Sequence, residues 1–310
     1  MLRCFNMENC LPKLTPLSPG LLLTTENCSN TPKEANKLKN TLYWEALGSL
    51  MWLQVTTWSD ITYAVILLSR FTHNPGKSHW TAIKHVLAYI KGTLNYRMTY
   101  KANAKFNLTR YVNSDFADYK DTCHSTKENI FIIAEGPVSW ESKRQKTVAL
   151  STVEAEYMGF SRATTQALWI SKYFTEIGLP TPKPIVVHMD NNGSISHNLN
   201  DKNHHRTKHI DVRHHFIKDQ VKCGNITFQY IPSSENIANL FTKSLSWEKI
   251  CQFTTELQLQ LTTEGILDQG ECWNGLVTLY LYFSSVATSL PDWHGTHWYG
   301  TRCLYFHSST

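Results

Sequence analysis

Apolar residues in the first third of the chain recur at helical spacing. In residues 43–92 they fall three to four positions apart, as at Trp80, Ile83, Val86 (or Leu87) and Ile90. The stretch HNPGKSH interrupts this pattern and predicts a turn, because Pro and Gly disfavour a helix. The pattern therefore predicts a small helical module over residues 41–104. Residues 1–40, where Pro, Asn, Thr and Lys show little periodicity, are predicted to form a loop-rich connector.

Beyond residue 104 the pattern changes to short runs typical of strands. The predicted strands lie in NLTRYVNSDF, NIFIIAEG, PVSWESK, PIVVHMD and NITFQYIPS. Helical patterns predict a helix over residues 152–177, about two turns after NNGS, a helix in KHIDVRHHFIKDQVKCG that stops at Gly224, and a last helix in SSENIANLFTKSL. This order predicts a mixed α/β domain with a five-stranded sheet and flanking helices over residues 105–247.

The last segment, residues 248–310, shows no sustained period. It is rich in Trp, Tyr and Ser and almost free of charge in its second half. Two interpretations stay open: a partly ordered tail, or the translation of a sequence that was never selected as protein. Neither interpretation predicts a functional site there.

Cysteine usage and the termini bear on the compartment. Eight cysteines stand singly and form no CxxC pair, which argues against a disulfide scaffold and a zinc knuckle. The N-terminus lacks an apolar run long enough for a signal peptide, and no stretch elsewhere is long and apolar enough to cross a bilayer. We therefore expect an intracellular protein, cytoplasmic or nuclear, that is not secreted and does not contact a membrane.

Charge is distributed unevenly along the chain. Residues 1–250 hold 29 Lys and Arg against 20 Asp and Glu, a balance of +9, and residues 251–310 hold one Arg and five acids, a balance of −4, which together give the net +5. A basic body favours a polyanionic partner such as nucleic acid. A solvated lysine-rich surface would give the same balance, so charge alone does not decide.

Polar residues that end the predicted strands are candidates for a metal site. Asn113 and Asp115 end the first strand, Asp190 ends the fourth, and Asn239 lies in the last predicted helix. Ligands of open sheets bind outside strand ends. Oxygen ligands suit Mg2+, and two such ions can activate water and stabilise the leaving oxygen in phosphodiester cleavage.

Two glutamates, Glu154 and Glu156, fall at the start of the helix in VALSTVEAEYMGF. Carboxylates are favoured near a helix N-terminus by the macrodipole and by capping behind Ser151 and Thr152. The alternative is that one of the two glutamates points towards the other acids and holds a metal ion.

Several ordered blocks resemble one family. RYVNSDFADYKD, VSWESKRQKTVALSTVEAEY, VHMDNNGSI, HHRTKHIDVRHHFI and IPSSENIANLFTKSL are similar to successive ribonuclease H blocks of copia-type LTR retrotransposon Pol polyproteins. YWEALGSLMWLQVTTWSDITYAVILLSRF and HWTAIKHVLAYIKGTL resemble the end of the reverse transcriptase that precedes them. The resemblance covers residues 14–245 and implies a ribonuclease H-like fold. The polymerase Asp-Asp motif is absent, so the chain is not a complete polymerase.

At two positions the chain departs from the family pattern. The family's first strand carries Val-Asp-Ser/Ala-Asp before an aromatic residue, and alignment on Phe116 places Asn113 at the first Asp. The family's last helix carries Ala-Asp, and here Asn239 follows Ala238. The resemblance assigns the remaining metal ligands to Glu156 and Asp190, with Glu154 as the capping acid.

The resemblance implies hydrolysis of RNA in an RNA–DNA hybrid with Mg2+ or Mn2+ as cofactor, next to an upstream reverse transcriptase region. Because Asn keeps the shape of Asp but loses its charge, Asn113 and Asn239 predict weak metal binding and impaired hydrolysis. Asp115 is a possible substitute ligand. Alternate strand residues lie about 6–7 Å apart, so this substitution would need a bulge.

Basic residues near these blocks are predicted to contact the nucleic-acid backbone. They are Lys143, Arg144, Lys146, His204, Arg206, Lys208 and Arg213. A zinc site in the histidine-rich segment, where His205 and His209 share a helical face, is disfavoured because no cysteine pair completes it.

Three hypotheses remain from the sequence: a ribonuclease H-like enzyme of copia type, a non-catalytic nucleic-acid-binding remnant, and an unfolded transposon fossil. The state of the metal site distinguishes the first two. Cooperative folding distinguishes the second from the third.

Overall fold

The structure is a computed structural model. It describes residues 1–39, 41–101, 104, 106–115, 123–145, 147–149, 152–191, 208–261 and 304–307. Side chains are described within these ranges except at residues 35, 37–39, 115, 152–154, 156–157, 208–214, 260 and 304–307. Within the described part of the chain, no helix combines the length and the apolar content that a membrane span needs.

The chain divides into two compact units. The first comprises residues 1–102 together with 243–310, and the second comprises residues 103–242. The bounds of the second unit are close to those of the domain predicted over residues 105–247. The division into four segments at residues 40, 104 and 247 stays a prediction.

The first unit contains the predicted helical elements. Its helices are α1 (Pro32–Lys39), α2 (Tyr43–Thr56), α3 (Thr62–Ser69) and α4 (Lys77–Gly92). Short 3-10 helices occupy Leu2–Phe5, Thr25–Asn27 and Ser59–Ile61. The first 40 residues thus contain regular structure where their composition predicts only loops.

The apolar periodicity of α2 to α4 supplies the core of this unit. Its buried side chains include Leu47, Leu50, Ile61, Leu68, Ile83, Val86 and Ile90. Polar groups inside this core are bonded to one another: the Tyr89 hydroxyl donates to Asp60 Oδ2 at 2.6 Å, and Trp58 Nε1 donates to Thr93 Oγ1 at 3.3 Å. These bonds offset the cost of burying Asp60.

A small sheet that the sequence pattern does not predict belongs to the same unit. Strand β1 (Tyr96–Lys101) pairs antiparallel with β7 (Leu259–Leu261) and parallel with β8 (Leu304–His307). A helix, Trp247–Glu256, precedes β7. Strands of three or four residues are too short to show a period, so this part of the tail gave no signal.

The second unit is built on the predicted five-stranded sheet. Its strands are β2 (Thr109–Asp115), β3 (Thr126–Ile133), β4 (Gly136–Arg144), β5 (Ile185–Met189) and β6 (Ile226–Tyr230). They lie in the order β4-β3-β2-β5-β6, with β2, β3 and β4 antiparallel and β5 and β6 parallel to β2. The prediction of a mixed α/β fold with a five-stranded sheet is confirmed.

Two helices flank this sheet. Helix α5 spans Thr152–Glu176, against a prediction of 152–177, and helix α6 spans Lys208–Lys222. Gly224 follows α6 with a φ of +68°, as expected of a helix stop. The short helix predicted after NNGS lies outside the described residues.

The predicted last helix is wrong in type. Residues 233–241 form two short 3-10 helices, Ser233–Glu235 and Ile237–Phe241, rather than one α-helix. Asn236 between them is extended, and its side chain accepts a hydrogen bond from the Ala238 backbone NH at 3.1 Å. Asn competes for backbone hydrogen bonds in this way, which breaks the helix that the apolar spacing suggests.

Helix α5 lies on the sheet face that carries Ser114. A Cβ added at Gly159 would sit 2.8 Å from Ser114 Oγ, so glycine permits this close approach. On the same face Arg162 forms an ion pair with Glu141 at 3.2 Å and Gln166 donates to Ser139 at 3.0 Å. Because side chains alternate along a strand, Asn113 faces the opposite side of the sheet.

Candidate functional site

The two asparagines at predicted acid positions are in direct contact. Asn113 Nδ2 donates to Asn239 Oδ1 at 3.0 Å. Asn113 Oδ1 accepts from the Ser114 backbone NH at 2.9 Å, and Asn239 Nδ2 donates to the Ser233 carbonyl at 2.6 Å. Each amide therefore uses both its donor and its acceptor within the protein.

The 3-10 helix Ile237–Phe241 is held over the end of β2 by a hydrogen bond to the backbone as well. Asn236, fully buried, donates from Nδ2 to the Val112 carbonyl at 2.9 Å. The pairing of β2 with β5 ends at Tyr111 and His188, one residue before Val112. The carbonyl of Val112 is therefore available to accept from Asn236. This contact places Asn239 beside Asn113.

Asp190 lies at the same edge of the sheet. It follows β5 directly, two residues after His188, and Asn113 lies two residues after Tyr111, the partner of His188 in the parallel register. The rings of Tyr111 and His188 stack at a centroid distance of 4.7 Å. Burial lowers the pKa of His188, so its neutral form is favoured beside the tyrosine.

The structure places Glu154 and Glu156 in the first two turns of α5, but their side chains lie outside the described ones. The backbone there is anchored near the site: the Ala155 carbonyl accepts from Gln145 Nε2 at 2.7 Å and from Ser114 Oγ at 3.5 Å. The choice between Glu154 and Glu156 as metal ligand therefore stays a prediction.

Asp115, the possible substitute ligand, ends β2, and its side chain is not described. The β2–β3 ladder pairs seven consecutive residues from Thr109 to Asp115 without a shift. Since bringing Asp115 to the place of Asn113 needs a bulge, this regular ladder disfavours the substitution.

The predicted nucleic-acid contacts are described only in part. Lys143 and Arg144 end β4 and are exposed. Lys146, His204 and Arg206 lie outside the described residues, and Lys208 and Arg213 lie on α6 without described side chains.

Two residues that the sequence analysis did not single out lie at this sheet edge. Lys127 is the direct partner of Lys143 in the β3–β4 ladder, and Glu128 is the direct partner of Asn113 in the β2–β3 ladder. Glu128 is 1% exposed. Only the strand registers reveal either neighbour.

The described residues fit a divalent cation poorly. Within them no group of three or more His, Cys, Asp or Glu side chains is arranged to hold a metal ion. At the two positions where the resemblance implies acids, Asn113 Nδ2 donates to Asn239 Oδ1, and Asn113 Oδ1 accepts from the Ser114 backbone NH.

Comparisons with known proteins place the chain in a family. The Pol polyprotein of transposon TNT 1-94 from Nicotiana tabacum, described as retrovirus-related, is 38% identical over 243 residues, which are 78% of this chain and 18% of that protein. The corresponding polyprotein of transposon RE1 from Arabidopsis thaliana is 34% identical over 253 residues, 81% of this chain and 17% of that protein. The chain thus spans less than a fifth of these relatives.

Two further comparisons complete the set. Secreted RxLR effector protein 161 from Plasmopara viticola is 40% identical over 134 residues, 43% of this chain and 94% of that protein. A solved structure of LC11-RNase H1, isolated from compost, covers 47% of this chain and 97% of its own at 13% identity, with a TM-score of 0.36, too low to support an inference. No family model matches the chain.

The second unit is thus an α/β domain with a five-stranded mixed sheet and polar groups at one edge of that sheet. The chain belongs to the retrovirus-related Pol polyproteins of copia-type transposons. The resemblance inferred from the sequence blocks is thereby confirmed.

Proposed function

We propose that the second unit is a ribonuclease H-like domain of a transposon Pol polyprotein that binds nucleic acid but is impaired in metal-dependent hydrolysis of RNA in RNA–DNA hybrids. The hydrogen bond between Asn113 Nδ2 and Asn239 Oδ1, at 3.0 Å, carries this proposal. Two carboxylates at this separation would repel each other and would need a cation between them. Two amides satisfy each other and need none.

The cofactor of an active relative would be Mg2+ or Mn2+, whose chemistry is to activate water and stabilise the leaving oxygen. In this chain the resemblance assigns the ligand roles to Asp190, which follows β5 at this edge, and to Glu156. Hard cations prefer several charged oxygens. One or two carboxylates therefore support only weak binding.

Binding of nucleic acid is supported by the basic edge of the hairpin. Lys127 and Lys143 stand directly opposite each other on β3 and β4, and Arg144 is the next residue of β4. Like charges directly opposite are unfavourable in a sheet, so a polyanion bound across them would stabilise this edge. We propose an RNA–DNA hybrid as the partner.

The hydrolytic part of the proposal is tested by cleavage of a labelled RNA–DNA hybrid in Mg2+ and then in Mn2+. The wild-type chain should be no faster than the Asp190→Asn variant, because the site lacks the charges that make Asp190 useful. A wild-type rate that exceeds the variant rate by about tenfold or more would show that a working metal site exists and would refute the impairment.

The binding part is tested separately by the salt dependence of hybrid affinity. Replacing Lys127, Lys143 and Arg144 by Gln should weaken binding and reduce the slope of log K against log salt by about 2–3, because each phosphate contact contributes about 0.7–0.9. Lys172→Gln is a matched control, since Lys172 lies exposed on α5, far along the chain from this edge. Equal affinity of both variants at all salt concentrations would exclude the basic edge as the binding surface.

The larger context is also part of the proposal. In an intact polyprotein the unit would act next to an upstream reverse transcriptase region, and it would work in the cytoplasm or nucleus where reverse transcription intermediates occur. The chain spans less than a fifth of the length of these relatives.

A further inference from the structure

Glu128 is a buried carboxylate that directly adjoins the candidate site. In the antiparallel β2–β3 ladder its Cα partner is Asn113. Side chains of directly opposite residues share one face of a sheet, with Cβ atoms about 5 Å apart. Only 1% of Glu128 is exposed, so its carboxyl group lies within the protein beside the amide of Asn113.

The 3-10 helix Ile237–Phe241 explains this burial. On one side of β3, Asn113 donates to Asn239 of that helix at 3.0 Å. On the other side Ser142, the partner of Glu128 on β4, donates from Oγ to the Phe241 carbonyl at 3.0 Å. Glu128 therefore lies on the central one of three strands whose outer members both bond to the same helix.

We propose that Glu128 determines which side chain position 113 accepts: with Glu128 in place, the neutral amide of Asn113 is favoured over a carboxylate. This inference deepens the proposed function, because a carboxylate at position 113 is what metal-dependent hydrolysis in the family implies. The test of this inference measures folding stability, so its result does not depend on any cleavage assay.

The physical reason is repulsion between like charges in a site of low dielectric. Carboxylates on directly opposite residues, whose Cβ atoms lie about 5 Å apart, repel each other more strongly when one of them is buried, as Glu128 is, than when both are at a surface. Arg144, two residues further along the β3–β4 ladder, is exposed, so its charge is screened by solvent and salt. Asn113 avoids the repulsion and keeps its hydrogen bond to Asn239.

The experiment is a double-mutant cycle in the full chain, with Asn113→Asp and Glu128→Gln singly and together. Urea unfolding at neutral pH in the presence of EDTA reports the folding equilibrium constant without metal compensation. Asn113→Asp should lower this constant roughly tenfold or more when Glu128 is present, and less than about threefold when position 128 is Gln.

Two controls separate charge from shape and position. Asn113→Leu has a similar shape without charge, so its cost should be the same with Glu or Gln at position 128. Glu141→Gln removes a carboxylate from β4 on the opposite face, where it pairs with Arg162, and should not change the cost of Asn113→Asp.

Every outcome decides the proposal. A cost of Asn113→Asp that depends on residue 128, including a variant that folds only when position 128 carries Gln, supports it. Equal costs in both backgrounds, or a variant that fails to fold in both, would show that the loss comes from the broken hydrogen bond to Asn239 alone, and the proposal would be overturned.

Discussion

At the scale of single residues, the second unit contains a buried charge whose removal should stabilise the protein. Arg110 on β2 is 1% exposed, and none of its guanidinium nitrogens has a hydrogen-bond partner among the described residues. Its guanidinium lies 4.7 Å from the centroid of the Phe131 ring. Burial lowers the pKa of Arg110 to about 9, with Glu141 acting in the opposite direction, so the side chain is still charged at pH 7.

We expect Arg110→Met to raise the free energy of unfolding by about 1–3 kcal/mol, because an apolar side chain of similar length replaces an incompletely paired buried charge. Urea unfolding at pH 7 measures this change. The matched control is Arg162→Met, whose exposed guanidinium contacts the same Glu141 and should change stability by less than about 1 kcal/mol. A loss of stability in Arg110→Met would mean that the pairing with Glu141 outweighs the desolvation of Arg110.

At the scale of elements, the start of α4 depends on a neutral histidine. His79 Nδ1 accepts from the Gly76 backbone NH at 2.8 Å, and the His79 ring stacks on Phe71 at 4.0 Å. The side chain is fully buried, and burial lowers the pKa of His79 to about 4. Protonation of Nδ1 would remove the acceptor that caps the helix.

This capping predicts a specific pH dependence. The pKa of His79 in the unfolded chain is near 6.5, so between pH 6.5 and 4 the unfolded state binds more protons and stability falls as pH falls. The loss should reach about 3 kcal/mol near pH 4, and should be absent above pH 7. In His79→Gln, whose amide oxygen keeps the acceptor without titrating, urea unfolding between pH 7 and 4 should show a correspondingly smaller loss. Identical pH profiles of the two proteins would exclude His79 as the cause.

Some of the secondary-structure elements could be predicted from the sequence and others could not. The five strands and helix α5 were predictable because their apolar runs are long enough to show a period. The last helix was not, because the hydrogen bond from Ala238 NH to Asn236 Oδ1 is a local competition that apolar spacing does not report. Strands β7 and β8 of the first unit, with three and four residues, are too short to show a pattern.

The sequence does not predict which residues lie opposite each other on neighbouring strands, and the reason is geometric. The two-residue turn at Ala134 and Glu135 pairs Ile133 with Gly136, and extending that register would pair Lys127 with Ser142. A shift between Phe131 and Ile132 moves the pairing by one residue, so Lys127 meets Lys143 instead. A one-residue slip exchanges the two faces of a strand, so the position of Glu128 was not predictable either.

At the scale of the whole molecule, the second unit carries amides in contact with each other at two positions where the resemblance implies carboxylates. The mixed α/β fold agrees with its prediction, and Asn113 contacts Asn239 at 3.0 Å, while the site roles of Asn113, Asp190 and Asn239 stay a prediction. Hydrolysis at this site depends on negative charge, which substitutions can restore at Asn113 and Asn239.

We therefore expect hydrolysis to return in the full chain when the charges are rebuilt. A variant with Asn113→Asp, Asn239→Asp and Glu128→Gln should cleave a labelled RNA–DNA hybrid in Mg2+ about a hundredfold faster than the wild type, because metal-assisted hydrolysis relies on several kcal/mol of charge stabilisation. The same two Asp substitutions with Glu128 retained should give a smaller gain, since the new carboxylate at position 113 would face Glu128.

Further variants on this background assign the glutamates of α5. Glu156→Gln should abolish the gain if Glu156 is the metal ligand, whereas Glu154→Gln should leave most of it if Glu154 only caps the helix; the reverse result would exchange their roles. Asp190→Asn should abolish the gain in either case. If the rebuilt variant stayed as slow as the wild type in both Mg2+ and Mn2+ while folding normally, the loss of charge at Asn113 and Asn239 would not be what limits this domain, and its role would be binding alone.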